Sequence, residues 1–292
     1  LWQASVNDGQ DPAAGYGEIY DFDWNGNFSN PVLNGVKVRP FVGGNPNTPA
    51  GDTDWQDVMY KTGIVTRNDF TASFGNKNSS MEINLGHLKN SGMLRYTGYE
   101  RLSGSVNTLT RAFDDKLRFG INLRIAESNE TLTARDLGGA ATTFLAVTLA
   151  PTIPVYQSDG TTFAGASGAG YSDRNNPLHM QSLARWNNAN RVSTFGNVFV
   201  ELQPIKNLFI KSNIGADNAR FENKIITPTF SEGAFNRTTN SLFFDQNHYL
   251  STTWSNTARY DLDLGGNKSM KFLVGTELEV GLAPHKGKGS NR

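Results

Sequence analysis

The chain has 292 residues, of which 37% are hydrophobic, only 18% are charged and 30 are glycine. Basic and acidic residues number 27 each, so no global field attracts nucleic acid, and nucleic-acid binding is excluded as the expected function. The absence of cysteine excludes disulfides, thiolate metal sites and a cysteine nucleophile. The low charge content, against roughly 25% in soluble domains, suits strands with one wet face and long polar loops.

The first 66 residues contain many turn-forming sequences and little periodicity. We predict that they form an outer loop region preceding the strands, with one short helix near residues 54–60. The sequence begins at Leu1 without a signal-peptide pattern, so we expect it to be a piece of a longer protein.

Within this region, the segment that begins at Asp21 matches the first half of a calcium-binding loop. Its oxygen ligands at alternate positions would be Asp21, Asp23 and Asn25. The twelfth position, where the pattern requires a bidentate glutamate, is Val32. A plain polar turn is therefore the favoured interpretation, and a calcium site is the weaker hypothesis. No other metal site and no cofactor is predicted.

The clearest periodicity lies between residues 99 and 131, on both sides of a short turn. In the second arm, apolar residues alternate with polar ones at Leu117, Phe119, Ile121, Leu123 and Ile125. A period of two aligns these side chains on one face of a strand, whereas a helix would place them on different faces. Similar arms recur, so we predict an all-β, antiparallel sheet of about eight long strands in four hairpins, at about residues 67–88, 99–131, 191–218 and 247–280.

Short polar turns close the four hairpins at one end of the sheet, and the connections at the other end are longer. Two connections, at about 133–190 and 221–246, are much longer than the rest. Many strands exceed ten residues, which is longer than the five or six usual in soluble sheets and right for tilted strands that cross a membrane. We therefore predict that residues 67–280 are part of an up-and-down transmembrane β-barrel with long loops at one end.

The two faces of the predicted strands differ in chemistry. Arg118, Asn122 and Arg124 lie on the polar face of one strand, which fits the wet interior of a barrel. We predict that this face lines the interior and that the apolar face contacts outer-membrane lipid. A soluble β-sandwich with its apolar face buried against a second sheet is the alternative.

Several short motifs resemble the SusC/RagA-type TonB-dependent outer-membrane transporters. They cover about residues 50–280 in the order expected for that family. In chain order they are Asp54-Trp55-Gln56-Asp57 with Thr62-Gly63, Asn90-Ser91-Gly92, Thr97-Gly98-Tyr99-Glu100-Arg101, Pro151-Thr152-Ile153-Pro154-Val155-Tyr156, Asn176-Pro177-Leu178 and Gly275-Thr276-Glu277.

This resemblance implies a location in the outer membrane of a Gram-negative cell and a large barrel that encloses a plug. It implies import of oligosaccharides, peptides or similar large nutrients, with a SusD-like lipoprotein and the TonB complex as partners of the full-length protein. The plug and the TonB-contacting segment are not found in this sequence, which would be an early part of the barrel. Residues 281–292 match neither a strand nor the family, so we expect a non-family tail there.

Two other functions compete with transport. A sandwich could bind carbohydrate through exposed aromatic side chains, for which Trp186 with its neighbour Arg185, and Trp24, are the candidate ligand-binding residues. A small outer-membrane barrel enzyme would need one of the scattered histidines, such as His87 or His248, to meet a serine and an acid. The histidine spacing fits no catalytic or metal motif, so we predict that the chain is not an enzyme.

Overall fold

A computed structural model describes residues 2–12, 19–131, 133, 142–165, 174–233, 235–266 and 268–291. Its helices are α1 (Trp2–Asn7), α2 (Trp55–Met59), α3 (Thr142–Thr148) and α4 (Pro177–Leu183), and short 3-10 turns span Val42–Gly44 and Ala184–Trp186. Its strands are β1 (Tyr20–Trp24), β2 (Leu33–Val38), β3 (Ile64–Gly75), β4 (Ser79–Ser91), β5 (Gly98–Ala112), β6 (Leu117–Thr131), β7 (Asn188–Ile205), β8 (Leu208–Thr227), β9 (Phe230–Glu232), β10 (Phe235–Arg237), β11 (Ser241–Gly265) and β12 (Lys268–Asn291). None of the helices in these ranges is long and apolar enough to cross a bilayer.

Eight strands form one antiparallel sheet in the order β12-β11-β8-β7-β6-β5-β4-β3. This confirms the predicted all-β, antiparallel fold and its four hairpins. The strands run past the predicted limits: the third hairpin, for example, spans 188–227 instead of 191–218. The second long connection is correspondingly shorter, between Thr227 and Ser241, because backbone ladders continue where side-chain alternation fades.

The last strand also continues through the segment predicted to be a tail. Backbone pairing joins β12 to β11 as far as Asn291, which lies opposite Leu242. The prediction that no strand extends beyond residue 280 is therefore wrong for residues 281–291, and Arg292 lies outside the described residues. The physical reason is that β11 extends to Ser241 and offers ladder hydrogen bonds that depend on the backbone rather than on apolar alternation.

At the end of the sheet where the long connections lie, the strands end close to one row of paired residues, so this edge is level across the sheet. One register row crosses seven strands through Ile64, Ser91, Gly98, Thr131, Asn188, Lys224 and Phe244. The four short turns close the opposite end; Asn267, in the last of them, lies outside the described residues. We call the level edge the loop end and the opposite edge the turn end.

The two faces of the sheet are separated as the alternation predicts. The apolar face exposes large side chains on all eight strands: Phe70, Leu85, Leu102, Leu123, Val198, Ile214, Trp254 and Phe272. Beside the eight-stranded sheet, the described chain forms only two-stranded sheets, β1-β2 and β9-β10. The β-sandwich alternative is therefore wrong, because the described residues supply no second large sheet to cover the apolar face.

The main core of buried apolar side chains lies outside the sheet, in the connections at the loop end. Its buried members are Val42, Trp55, Met59, Leu94, Ala146, Leu149, Ile153 and Leu178. We call this group the loop core. It contains helix α2, which confirms the helix predicted near residues 54–60. Asp54 is the N-cap of this helix, and its carboxylate accepts hydrogen bonds from the backbone N–H groups of Gln56 and Asp57. The loop core gives the long connections a defined structure of their own.

Candidate functional site

Two adjoining cavities of about 580 and 470 Å³ lie on the polar face next to the loop end. Tyr99, Glu130 and Asn223 line both cavities, so we treat them as one cleft, the upper cleft. The three residues belong to one register row, in which Ala189 stands between Glu130 and Asn223. The methyl side chain of Ala189 leaves open the space that a larger residue would fill.

The lining of the upper cleft is rich in hydrogen-bonding groups. Amide and hydroxyl side chains come from Asn90, Thr97, Thr131, Thr133 and Asn187, beside aromatic rings from Tyr99 and Phe243. Amides and hydroxyls can each donate and accept hydrogen bonds. The cleft can therefore bind an uncharged polar ligand such as a sugar or a peptide backbone.

Several phenylalanine side chains on the polar face are covered by cations. The guanidinium of Arg191 lies 4.6 Å from the ring centroid of Phe221, at the edge of the upper cleft. The ammonium of Lys211 lies 4.4 Å from the ring centroid of Phe199 in the same way. The negative face of the ring attracts the cation, which explains why phenylalanine occurs on a face that otherwise carries polar residues.

Towards the turn end, the polar face forms a connected set of hydrogen bonds. Asn122 donates to the Oδ1 of Asn197 at 3.1 Å, and Asn197 donates to the Oδ1 of Asn213 at 2.5 Å. Arg118 forms an ion pair with Glu201 at 3.1 Å on the same face. These contacts cross three strands, so this part of the polar face is tied together by its own side chains.

Arg185 and Trp186, two of the predicted ligand-binding residues, lie together in the 3-10 turn that leads into β7. The guanidinium of Arg185 lies 5.1 Å from the ring centroid of Trp186, whose side chain remains 60% exposed. Trp24 lies in the β1-β2 hairpin, where its ring contacts those of Trp2 and Phe28. None of the described ring contacts joins Trp24 to Trp186. Their role in ligand binding stays a prediction.

The calcium-loop segment is an extended strand. Asp21 and Asp23 lie in β1, and the Asp21 carboxylate accepts a hydrogen bond from Arg39 at 2.8 Å. The Oδ1 of Asn25 accepts a hydrogen bond from the backbone N–H of Val32 at 3.1 Å. A strand does not wrap around a cation as the calcium loop does. Among the described residues, no group of three histidine, cysteine or acidic side chains could hold a metal ion.

A buried polar network joins the two long connections, and the sequence analysis did not identify it. The side chain of Glu232, in β9, is fully buried and its Oε2 lies 2.5 Å from the Nδ1 of His179, in α4. Its Oε1 accepts a hydrogen bond from the backbone N–H of Asn176 at 2.6 Å. The ring of Phe163 stacks on the imidazole of His179 at 4.5 Å between centroids. We call these residues the loop clasp.

Asn176 also holds neighbouring parts of the first long connection. Its amide donates to the backbone carbonyls of Val155 and Ala164, both at 2.9 Å. Its Oδ1 accepts from the backbone N–H groups of Leu178 and His179 and so forms the N-cap of α4. The pair Asn176-Pro177, with an N-cap residue followed by proline at the first helical position, was a readable signal for this helix.

Comparisons with known proteins agree with this fold. The chain is 27% identical over 204 residues to the TonB-dependent receptor SusC of Bacteroides thetaiotaomicron, an alignment that covers 62% of this chain and 20% of that protein. It is 22% identical over 249 residues to the TonB-dependent receptor P26 of Formosa agariphila, which covers 80% of this chain and 23% of that protein. No family model matches the chain. These relatives and the fold support the resemblance to the SusC/RagA-type TonB-dependent transporters.

Solved structures show the same arrangement of strands as this chain. The RagAB peptide importer in its closed-closed state superposes with a TM-score of 0.64 at 18% sequence identity, over 85% of this chain and 31% of that one. A second structure of the RagAB peptide transporter gives a TM-score of 0.65. The chain spans about a fifth of the length of the curated relatives it matches. These relatives are named receptors and importers, and none of these names is that of an enzyme.

Proposed function

We propose that this chain forms part of the barrel wall of an outer-membrane receptor that imports large nutrients, oligosaccharides or peptides. The single observation that carries the proposal is one long-stranded antiparallel sheet whose apolar side chains are exposed along one whole face. Exposed apolar residues on every strand have a favourable environment in lipid, whereas water would disfavour them.

The polar face would then line the interior of the barrel. Its cation-covered rings, the hydrogen-bonded asparagines Asn122, Asn197 and Asn213, and the upper cleft are suited to contact with water or with a polar ligand. A SusD-like lipoprotein at the loop end and the TonB complex on the other side of the membrane are the partners that we propose for the full-length receptor. The loop core would give the lipoprotein a folded surface to contact.

Spin labels on the full-length receptor in its membrane test the orientation of the sheet. We would place one label at Leu123, on the apolar face of β6, and a matched label at Asn107, on the polar face of β5; this chain adds no native cysteine that would also be labelled. Oxygen should reach Leu123 more readily than a water-soluble nickel complex does, and Asn107 should not show this preference. Equal access of the nickel complex to both positions would show that the apolar face is not in lipid.

Uptake measurements test the transport function itself. Cells that express the receptor should accumulate labelled oligosaccharides or peptides too large for porins, and deletion of TonB should abolish that accumulation. Uptake that persists without TonB would contradict the proposal.

A further inference from the structure

Most cations on the polar face are matched by a neighbour. Arg67 pairs with Asp69 and Arg259 with Asp261, as Arg118 does with Glu201. Arg101, on β5, and Arg124, on β6, differ, because neither has an acceptor, a carboxylate or a ring partner among the residues that the structure describes. Two guanidinium groups on adjacent strands are therefore available for an external anion.

Both arginines line a cavity of about 470 Å³ on the polar face. Small residues form its floor, among them Gly86, Ser103 and Ser105. A Cβ atom added at Gly86 would lie 2.9 Å from the Oγ of Ser103, so the floor is closely fitted as well as shallow. We call this cavity the arginine bay. Its position below the upper cleft, with Arg101 lining both, makes the two continuous.

The spacing of the two arginines favours a ligand with repeated charges. Arg101 lies opposite Ser128 on β6, and Arg124 lies four positions further along the same strand. At about 3.3 Å per residue, their Cα atoms are about 13 Å apart along the strand direction. An oligomer with an anionic group on successive units can span this separation, whereas one small ion would require both long side chains to converge on it.

The surroundings of Arg124 indicate the kind of oligomer. Phe195, its register neighbour on β7, lies on the polar face with its side chain 60% exposed. Unlike Phe199 and Phe221, it has no cation over its ring among the described residues. A ring face of this kind packs against the C–H groups of a sugar, since the face carries the negative part of the aromatic quadrupole.

The acidic groups near the bay leave the positive charge of the arginines largely uncompensated. Asp69 is held by Arg67 at 2.6 Å. Glu130 lies at the loop end beyond Ser128, and Asp217 lies on β8, on the far side of Phe195. The lining also includes the hydroxyl groups of Thr71, Ser103 and Ser105 and the amide of Asn84, which suit a ligand rich in hydroxyl groups.

We propose that the arginine bay binds an acidic oligosaccharide, with Arg101 and Arg124 holding the carboxylates of two of its uronate units and Phe195 packing against a sugar ring. The proposal rests on the proposed function, and it adds the charge and the chemical class of the substrate. A guanidinium presents parallel N–H donors that match the two oxygens of a carboxylate, so carboxylates fit this bay better than uncharged sugars do.

The test is a binding titration on the purified full-length receptor. The probes are a short oligogalacturonate and the neutral oligosaccharide obtained by reducing its carboxyl groups. We expect tighter binding of the acidic probe, an affinity that falls as salt is added, and a loss of about tenfold for each of Arg101→Gln and Arg124→Gln. The double variant should lose more affinity for the acidic probe than for the neutral one. Arg111→Gln is the matched control, because Arg111 lies on the same face of β5, near Asp115 at the turn end.

Several results would overturn the proposal. These are equal affinity for the two probes, binding of the acidic probe that is insensitive to salt, or an equal loss of both probes in the double variant. Arginine-dependent binding of a glutamate-rich peptide in place of the oligogalacturonate would also overturn the assignment to a sugar. If the double variant fails to fold, the salt dependence and probe preference of the wild type decide the question. Cells that bind the acidic probe with arginine dependence but do not import it would contradict the transport function and leave the binding site intact.

Discussion

Removal of the Glu232 carboxylate should release the β9-β10 hairpin from helix α4. The substitution Glu232→Ala leaves the backbone N–H of Asn176 and the imidazole of His179 buried without their acceptor, at contacts now 2.6 and 2.5 Å long. An unsatisfied buried group costs about 1–3 kcal/mol, and breaking a buried pair by removing one partner costs about 3–5 kcal/mol. We expect the clasp to lose about 4 kcal/mol.

Hydrogen exchange with mass spectrometry on the full-length receptor would measure this loss. A change of about 4 kcal/mol corresponds to a local opening that is roughly 1,000-fold more frequent, since each 1.4 kcal/mol is about tenfold. The peptide covering residues 230–237 should lose protection by that factor or reach the unprotected limit. Peptides from the centre of β5 and β6 should keep their protection, because the clasp lies outside the sheet.

Two further variants distinguish a local loss of stability at the loop clasp from a general loss of stability. Glu232→Gln keeps an acceptor for the backbone N–H of Asn176 and should lose only about 1–2 kcal/mol. Glu222→Ala removes a carboxylate that pairs with Arg220 at the surface and should cost less than about 1 kcal/mol. Unchanged protection in Glu232→Ala, or an equal loss in Glu222→Ala, would refute the assignment of this stability to the buried pair.

Three further variants probe other parts of the molecule. A Cβ at Gly120 would lie 2.3 Å from the ring of Phe199, so Gly120→Ala should destabilise the sheet by about 1–3 kcal/mol. The loss should be measured as a lower melting temperature, and adding Phe199→Ala to the Gly120→Ala variant should restore most of the lost stability. Hydrogen bonds from the Thr162 hydroxyl and from the backbone N–H groups of residues 161 and 162 lower the pKa of Asp159 to about 2. The ionised carboxylate therefore stabilises the turn at pH values above the unfolded pKa, and this stabilisation is lost as the pH falls through the folded pKa. Thr162→Val should raise the pKa of Asp159 towards 3.8 in a carboxyl NMR titration, so that the stabilisation is lost at higher pH. Trp55 is 3% exposed in the loop core, so Trp55→Ala should cost about 3–5 kcal/mol of stability and make the long connections sensitive to limited proteolysis. Equal protease resistance of the variant and the wild type would show that the loop core does not hold these connections.

The eight strands could be predicted from the sequence because apolar and polar residues alternate along them. This alternation does not depend on which strand pairs with which. Leu117 to Ile125 is the clearest example, and its register partners on β5 and β7 continue the same face. Strand ends were less predictable. The backbone of residues 281–291 pairs with β11 without a matching apolar pattern, so the ladder extends where the side-chain signal stops.

The loop clasp could not be predicted because its members are distant in sequence. His179 and Glu232 are 53 positions apart, and neither lies in a recognisable motif. The calcium-loop pattern shows a different ambiguity. Asp21 and Asp23 alternate with Phe22 and Trp24, and this spacing is equally typical of a strand, which is what forms there.

The oblique line of the short turns sets the inclination of the strands. Gly75 lies 11 positions below Ile64 of the level row, and Gly265 lies 21 positions below Phe244 of the same row, six strands away. The turn end thus descends by about 33 Å over about 29 Å of sheet width, taking about 3.3 Å per residue and about 4.8 Å per strand. If all four turns touch one membrane surface, the strands incline by roughly 45–50°, close to the 35–45° of known outer-membrane barrels. The row through Ile64 and Phe244 then lies at increasing height above that membrane surface from β3 to β11. A large solute would therefore meet a low edge of the sheet beside β3 and a high edge beside β11.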